Sequence, residues 1–154
     1  MAQGKIESIY IAPAKGEPTV SVNEVKAVAG KGLENDRYFD SEGAGNPKHL
    51  PKQEATFIEM ESIEALKRDH NLVLHPKESR RNIITRNVPL NHLVGKEFKV
   101  GSATFRGIKL CEPCGYLQNM TQQGILAGLT HRGGLMAQIL TDGIIKTGDS
   151  VSYD

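Results

Sequence analysis

The chain has 154 residues, enough for one domain with a substantial core, and its 19 Lys and Arg nearly balance 18 Asp and Glu. That balance gives no case for general binding to nucleic acid or to a membrane surface, so any anion site must be local. Two cysteines cannot build a disulfide framework, Met1-Ala2-Gln3-Gly4-Lys5 lacks the apolar core of a signal peptide, and no apolar run nears membrane-spanning length. A cytoplasmic protein folded as a single domain over residues 1–154 is expected.

Sixteen glycines, seven prolines and many Val, Ile and Thr favour short strands and tight turns. Lys5 to Ala12 carries Ile6, Ile9, Tyr10 and Ile11 and predicts an opening strand that Pro13 interrupts. Thr19 to Val22 and Val25 to Val28 alternate out of phase with each other, which predicts a slip near Asn23. Gly30 to Tyr38 is a glycine-punctuated loop with the character of a site. Asp40 to Gln53, with Gly43, Gly45, Pro47 and Pro51 around His49, predicts an exposed, mobile flap.

Thr56-Phe57-Ile58 predicts a short strand. Met60, Ile63 and Leu66 at helical spacing, with acids early and bases late, predict a helix over Glu59 to Asp69. Ile83 to Thr85 is β-prone, Pro89 to Leu93 a single helical turn, and Glu97 to Val100 with Ala103 to Leu110 a pair of strands joined at Gly101-Ser102. Gly124 to His131 predicts a short helix ended by Gly133-Gly134, followed by strands at Leu135 to Leu140 and Ile144-Ile145 and a last segment holding Val151 and Tyr153.

Four clusters carry chemistry: Asn35-Asp36-Arg37, Ser79-Arg80-Arg81-Asn82, Cys111-Glu112-Pro113-Cys114, and His131-Arg132-Gly133-Gly134. A C-x-x-C brings two sulfurs within reach of one disulfide or one metal ion, and Pro113 stiffens the turn between them. The guanidinium fork binds carboxylate or phosphate in bidentate fashion, and cations near a thiol favour thiolate, so arginines beside sulfur suit a phosphate-bearing cofactor. Asp36 and Arg37 also fit a plain structural ion pair, and the cysteines fit buried packing. A closed zinc site needs a second close ligand pair, whereas His49, His70, His75, His92 and His131 are scattered. The C-x-x-C also falls late in a β-rich chain, away from the strand-to-helix position of a thioredoxin-like motif.

The ordered set Gly32-Leu33-Glu34-Asn35-Asp36-Arg37-Tyr38, Ser79-Arg80-Arg81-Asn82-Ile83, Leu93-Val94-Gly95, Phe98-Lys99-Val100-Gly101, Cys111-Glu112-Pro113-Cys114, Gly133-Gly134 and Gly148-Asp149 resembles the MOSC domain. This module is named for the C-terminal part of molybdenum cofactor sulfurases and also occurs in stand-alone bacterial proteins and mitochondrial amidoxime-reducing components. The resemblance implies a mainly β fold, a MOSC-type β-barrel with a few short helices. It implies Cys114 as the catalytic sulfur and the thiolate ligand to molybdenum. Asp36, Arg37, Arg80, Arg81, Asn82, His131 and Arg132 are then candidates for binding the molybdenum cofactor. The family's usual glycine before Asp-Arg is Asn35 here, a residue that tolerates positive φ.

By the same resemblance, the function is a molybdenum-dependent oxidoreductase that reduces small N-hydroxylated compounds. A separate electron-donor protein is required, since the chain carries no flavin, haem or iron–sulfur motif. Two alternatives stand beside it: a sulfur carrier holding a persulfide on Cys114, with a cysteine desulfurase as partner, and a non-catalytic binding module with packing cysteines.

Overall fold

A computed structural model describes residues 2–154. The strands are β1 (Ala2–Ile11), β2 (Val20–Val22), β3 (Glu24–Val28), β4 (Gly32–Leu33), β5 (Ala55–Glu59), β6 (Ile83–Arg86), β7 (Glu97–Val100), β8 (Ala103–Leu110), β9 (Leu135–Thr141), β10 (Gly143–Lys146) and β11 (Ser150–Tyr153). Three short helices join them: α1 (Met60–His70), α2 (Gly115–Met120) and α3 (Ile125–Gly128).

Seven strands in the order β11-β7-β8-β9-β5-β6-β1 close into a barrel because β1 also pairs with β11. Ala2 lies opposite Tyr153 and Lys5 opposite Ser150 in that closing pair. Closure removes the open edges that a flat sheet would expose. The far end of β1 carries β2, with Ile9 opposite Val22. A second sheet, β10-β3-β4, packs Val25, Ala27, Leu33 and Ile145 into the same core.

Most pairings are antiparallel, which explains the legible alternation of β7 and β8, where Phe98, Val100, Ala103 and Phe105 turn inward. In the barrel, Phe57 meets Phe98 and Phe105 edge to face, with centroids 5.4 and 5.3 Å apart. Each such pair contributes about 0.5–1.5 kcal/mol beyond its buried area. The pair β5–β6 is parallel, reached by a crossover through α1, and it is covered on both faces. Phe57 and Ile83 point into the barrel, while Ile58 and Ile84 point outward into a second core formed with Ile63, Leu66, Leu117, Ile125 and Leu129. That outer core seats all three helices on the barrel wall.

The expected helix over Glu59 to Asp69 is α1, offset by one residue at each end. It buries Ile63 and Leu66 and stops at Asn71, whose φ of 55° takes the left-handed cap conformation. The loop Gly30 to Tyr38 contains the two-residue strand β4, and α2 follows Cys114 where no helix was expected. Asp40 to Gln53 is largely exposed, as expected for a flap. Short 3₁₀ turns at Gly43–Gly45 and Pro51–Gln53 organise it, and the His49 side chain is only 6 % exposed because two carboxylates hold its ring.

Candidate functional site

Strand β8 delivers the chain to Cys111, whose N–H donates to the Gly134 carbonyl at 2.7 Å. The next three residues turn past buried Pro113 into α2, with Cys114 as the residue before the first helical turn. Leu117 of α2 is buried in the outer core and fixes the helix. The two thiols therefore differ: Cys111 is buried and Cys114 exposed. Burial pushes the Cys111 thiol above its ordinary range, against the opposing pull of Arg81 and Arg37.

Two glycines let a neighbouring loop press against this turn. A Cβ on Gly133 would lie 2.3 Å from the Cys111 carbonyl oxygen and 2.9 Å from Pro113 Cδ, and one on Gly134, at φ 114°, would lie 1.9 Å from the Phe57 carbonyl. No side chain fits either place. The thiol loop is thus clamped between the Gly133-Gly134 segment and the barrel.

Both cysteines line a cleft of about 490 Å³. Its charged lining comprises Lys15, Arg37, Lys52, Arg80 and Arg81 against a single carboxylate, Glu112, with Tyr38 and Tyr116 as aromatic walls. A chain almost neutral overall has therefore gathered five cations around one exposed sulfur.

Each arginine is placed by a different device. Asn35 takes φ 67°, a left-handed turn that asparagine tolerates better than most residues. The turn buries Asp36, whose carboxylate accepts from the Ala12 N–H at 3.0 Å and from Arg37 Nη1 at 3.0 Å. Arg37 Nη2 donates to the Arg80 carbonyl at 2.8 Å, and its guanidinium lies 4.8 Å from the Tyr38 ring centroid, a cation–π distance. Lys15 approaches the same ring at 5.7 Å. Asp36 itself lies behind the cleft wall as the counter-ion that orients Arg37.

Arg80 sits at φ 61° and donates from Nη1 to the Glu17 carbonyl at 2.9 Å. Arg81 is buried and spans three backbone carbonyls: Gly133 from Nε at 2.7 Å, Cys111 from Nη2 at 2.9 Å and Ser79 from Nη1 at 3.3 Å. Carbonyls satisfy its hydrogen bonds but bring no negative charge, so its field remains directed at the cleft. Asn82 is buried in the barrel wall, accepting from the Thr56 N–H and hydroxyl and donating to the Tyr10 carbonyl. Its amide knits β1, β5 and β6 together and does not line the cleft.

His131 and Arg132 are not brought to Cys114. They line a neighbouring cavity of about 420 Å³ with Glu59, Glu61, Arg68 and His92. His131, at φ 62°, meets Glu112 twice, through its N–H and through Nδ1, both at 2.7 Å. Arg132 reaches toward Asp69 at 3.6 Å. In the same cavity burial raises the Glu59 carboxyl, and the N–H of Leu90 partly offsets this. Glu112 is the link between the two cavities. Of the eight residues expected at the site, four line the thiol cleft: Arg37, Arg80, Arg81 and Cys114.

Lys15, Lys52 and Tyr116 also line the cleft and were missed, whereas Tyr38 ends the Gly30 to Tyr38 loop expected to have the character of a site. Lys15 and Lys52 sit in polar turns that resemble solvated surface, and Tyr116 follows the cysteine in a segment without helical periodicity.

The class is thus a seven-stranded β-barrel in which strand β8 presents a clamped, asymmetric cysteine pair to a cationic cleft. The sequence matches the MOSC domain family over residues 45–152, and the chain belongs to that family. Comparison with curated protein sequences returns no match. Among solved structures, the YUAD protein from Bacillus subtilis is similar at 18 % identity with a TM-score of 0.80, over 99 % of this chain and 98 % of that one. YiiM from Geobacillus stearothermophilus is similar at 13 % identity and TM-score 0.73, over 99 % of this chain and 76 % of that one. YiiM from Escherichia coli is similar at 16 % identity and TM-score 0.67, over 96 % and 68 %. No helix of the described residues is long and apolar enough to cross a membrane.

Proposed function

We propose that the protein is a molybdenum-cofactor-binding oxidoreductase that reduces small N-hydroxylated compounds. The observation that carries the reading is the exposed Cys114 thiol in a cleft with five cationic side chains and one carboxylate. Among the described residues no group of three or more His, Cys, Asp or Glu is placed to hold a metal ion. A metal that arrives with its own sulfur ligands and takes one thiolate from the protein fits this donor set. Bound there, the cofactor would supply two-electron removal of oxygen from an N–O bond, with electrons from a separate carrier protein.

The chain's own residues do the rest. Cys114 offers the soft sulfur ligand. Arg80, Arg37, Lys15 and Lys52 bind the anionic cofactor, and Arg37 is held in place by Asp36. Arg81 keeps the cysteine loop in register through the carbonyls of Cys111 and Gly133. Tyr38 and Tyr116 wall the remaining space of the cleft.

The test is the molybdenum and pterin content of protein purified from a host that makes the cofactor. Stoichiometric molybdenum is expected in the native protein and its loss in Cys114→Ser; unaltered content in that variant would refute the ligand role. A persulfide adduct after incubation with a cysteine desulfurase, without bound molybdenum, would replace the redox reading with sulfur carriage.

A further inference from the structure

His49 lies outside the cleft, yet it is among the most enclosed polar side chains of the molecule. Its ring stands between two carboxylates, with Nε2 2.6 Å from Glu54 Oε2 and Nδ1 3.4 Å from Asp40 Oδ2. Carboxylate oxygens only accept, so the ring nitrogens are the donors in these contacts. Each carboxylate is anchored elsewhere. Glu54 is 1 % exposed, and its other oxygen accepts from the Ile139 N–H in β9 at 2.8 Å. Asp40 accepts from the N–H groups of Glu42 and Gly43 at 3.0 and 3.2 Å and from Asn46 Nδ2 at 3.0 Å. The imidazole thus joins the start of the 40–53 segment to the barrel wall.

Between His49 and Glu54 run Leu50, Pro51, Lys52 and Gln53, and Pro51–Gln53 is a single 3₁₀ turn. Gln53 N–H donates to the Leu50 carbonyl at 2.9 Å and Glu54 N–H to that of Pro51 at 3.1 Å. Lys52 and Gln53 are the members of this turn that line the thiol cleft. The ring-to-Glu54 contact therefore closes a loop whose span contains one of the cleft's five cations.

We propose that His49 is a positioning residue for the thiol cleft: by bridging Asp40 and Glu54 it fixes the Pro51–Gln53 turn so that Lys52 presents its charge to the cleft that holds Cys114, and thereby sets the cleft's preference for anionic ligands. The proposal rests on reading the cleft as an anion site and is independent of whether molybdenum is the metal.

Alkylation of Cys114 tests it without any cofactor. Iodoacetate and iodoacetamide attack the same thiolate and differ in charge, so the ratio of their rates reports the local cation field and cancels changes in access or thiol ionisation. In a Cys111→Ala background the ratio should exceed that of a free thiol. Lys52→Gln should lower it about two- to five-fold, the range for one charge partly screened by solvent. His49→Ala should lower it equally, and the double variant should fall no further, because both changes remove one interaction. Cooperative urea unfolding shows that each variant is folded; if His49→Ala fails to fold, His49→Leu, which keeps bulk at the site and removes both ring nitrogens, is measured in its place. A native ratio no higher than a free thiol's would refute the anion site. A high native ratio that His49→Ala leaves unchanged, or losses from the two variants that multiply, would overturn the positioning role and leave the anion site standing.

Discussion

Replacing Arg81 by alanine tests whether a buried guanidinium holds the thiol loop together. Its Nε–Gly133 and Nη2–Cys111 hydrogen bonds are 2.7 and 2.9 Å long, and the third, to Ser79, is weaker at 3.3 Å. A hydrogen bond from a charged donor contributes about 1.5–3 kcal/mol, so the two short ones together give roughly 3–6 kcal/mol. Water entering the vacated space would satisfy part of the carbonyls' demand, which brings the expected loss to about 3–4 kcal/mol. Against a stability of about 5–15 kcal/mol for a domain, that is a large fraction. Urea denaturation followed by circular dichroism measures it. Arg80→Ala is the internal comparison: Arg80 is only partly buried and makes one bond to a carbonyl, so it should cost less than about 1 kcal/mol. Arg81→Lys should recover little, because one ammonium cannot span carbonyls from three segments. An Arg81→Ala loss below about 1 kcal/mol, no larger than that of Arg80→Ala, would refute the clamp.

Four further outcomes are expected. At pH 8, iodoacetamide should modify one thiol per chain, Cys114, since Cys111 is buried and its thiol raised. A raised folded-state value means that stability tied to Cys111 is fully present below the unfolded thiol's range, about pH 8.5, and is lost as pH rises through the folded value; Cys111→Ala should remove that alkaline decline in urea midpoint. Glu59 is also raised by burial, so its contribution is present below about pH 4 and lost above it. Glu59→Gln should therefore raise the urea midpoint at pH 7 relative to the native chain and lose that advantage near pH 4. Gly133→Ala forces a methyl to within 2.3 Å of the Cys111 carbonyl and should cost about 1–3 kcal/mol in thermal unfolding while speeding alkylation of Cys111.

The barrel was legible wherever a strand has one wet face. Glu97 to Val100 and Ala103 to Leu110 alternate because their partners are antiparallel, and the phase slip at Asn23 marks the passage from β2 to β3, which belong to different sheets. α2 was illegible because it is six residues long and buries only Leu117, too little to set a period. At the site, clusters contiguous in sequence were overvalued. His131 and Arg132 border the glycines that clamp the cysteine loop, yet both line the other cavity, where His131 pairs with Glu112 and Arg132 with Asp69. Asn82 sits beside two cleft arginines, but strand alternation and Thr56 commit it to the barrel wall. Conversely, Lys15 and Lys52 join the cleft from segments far from Cys114 in sequence, and nothing local marks a lysine as part of a distant cleft.

Pairing Ala2 with Tyr153 has a kinetic consequence. The ring closes through residues widely separated in sequence, so the contact that seals it carries a large loop-closure entropy. During synthesis β1 and β7 must wait with unpaired edges until Ser150 to Tyr153 has emerged. Refolding should accordingly be slow for a protein of this size, and aggregation should compete with it most strongly before β11 docks.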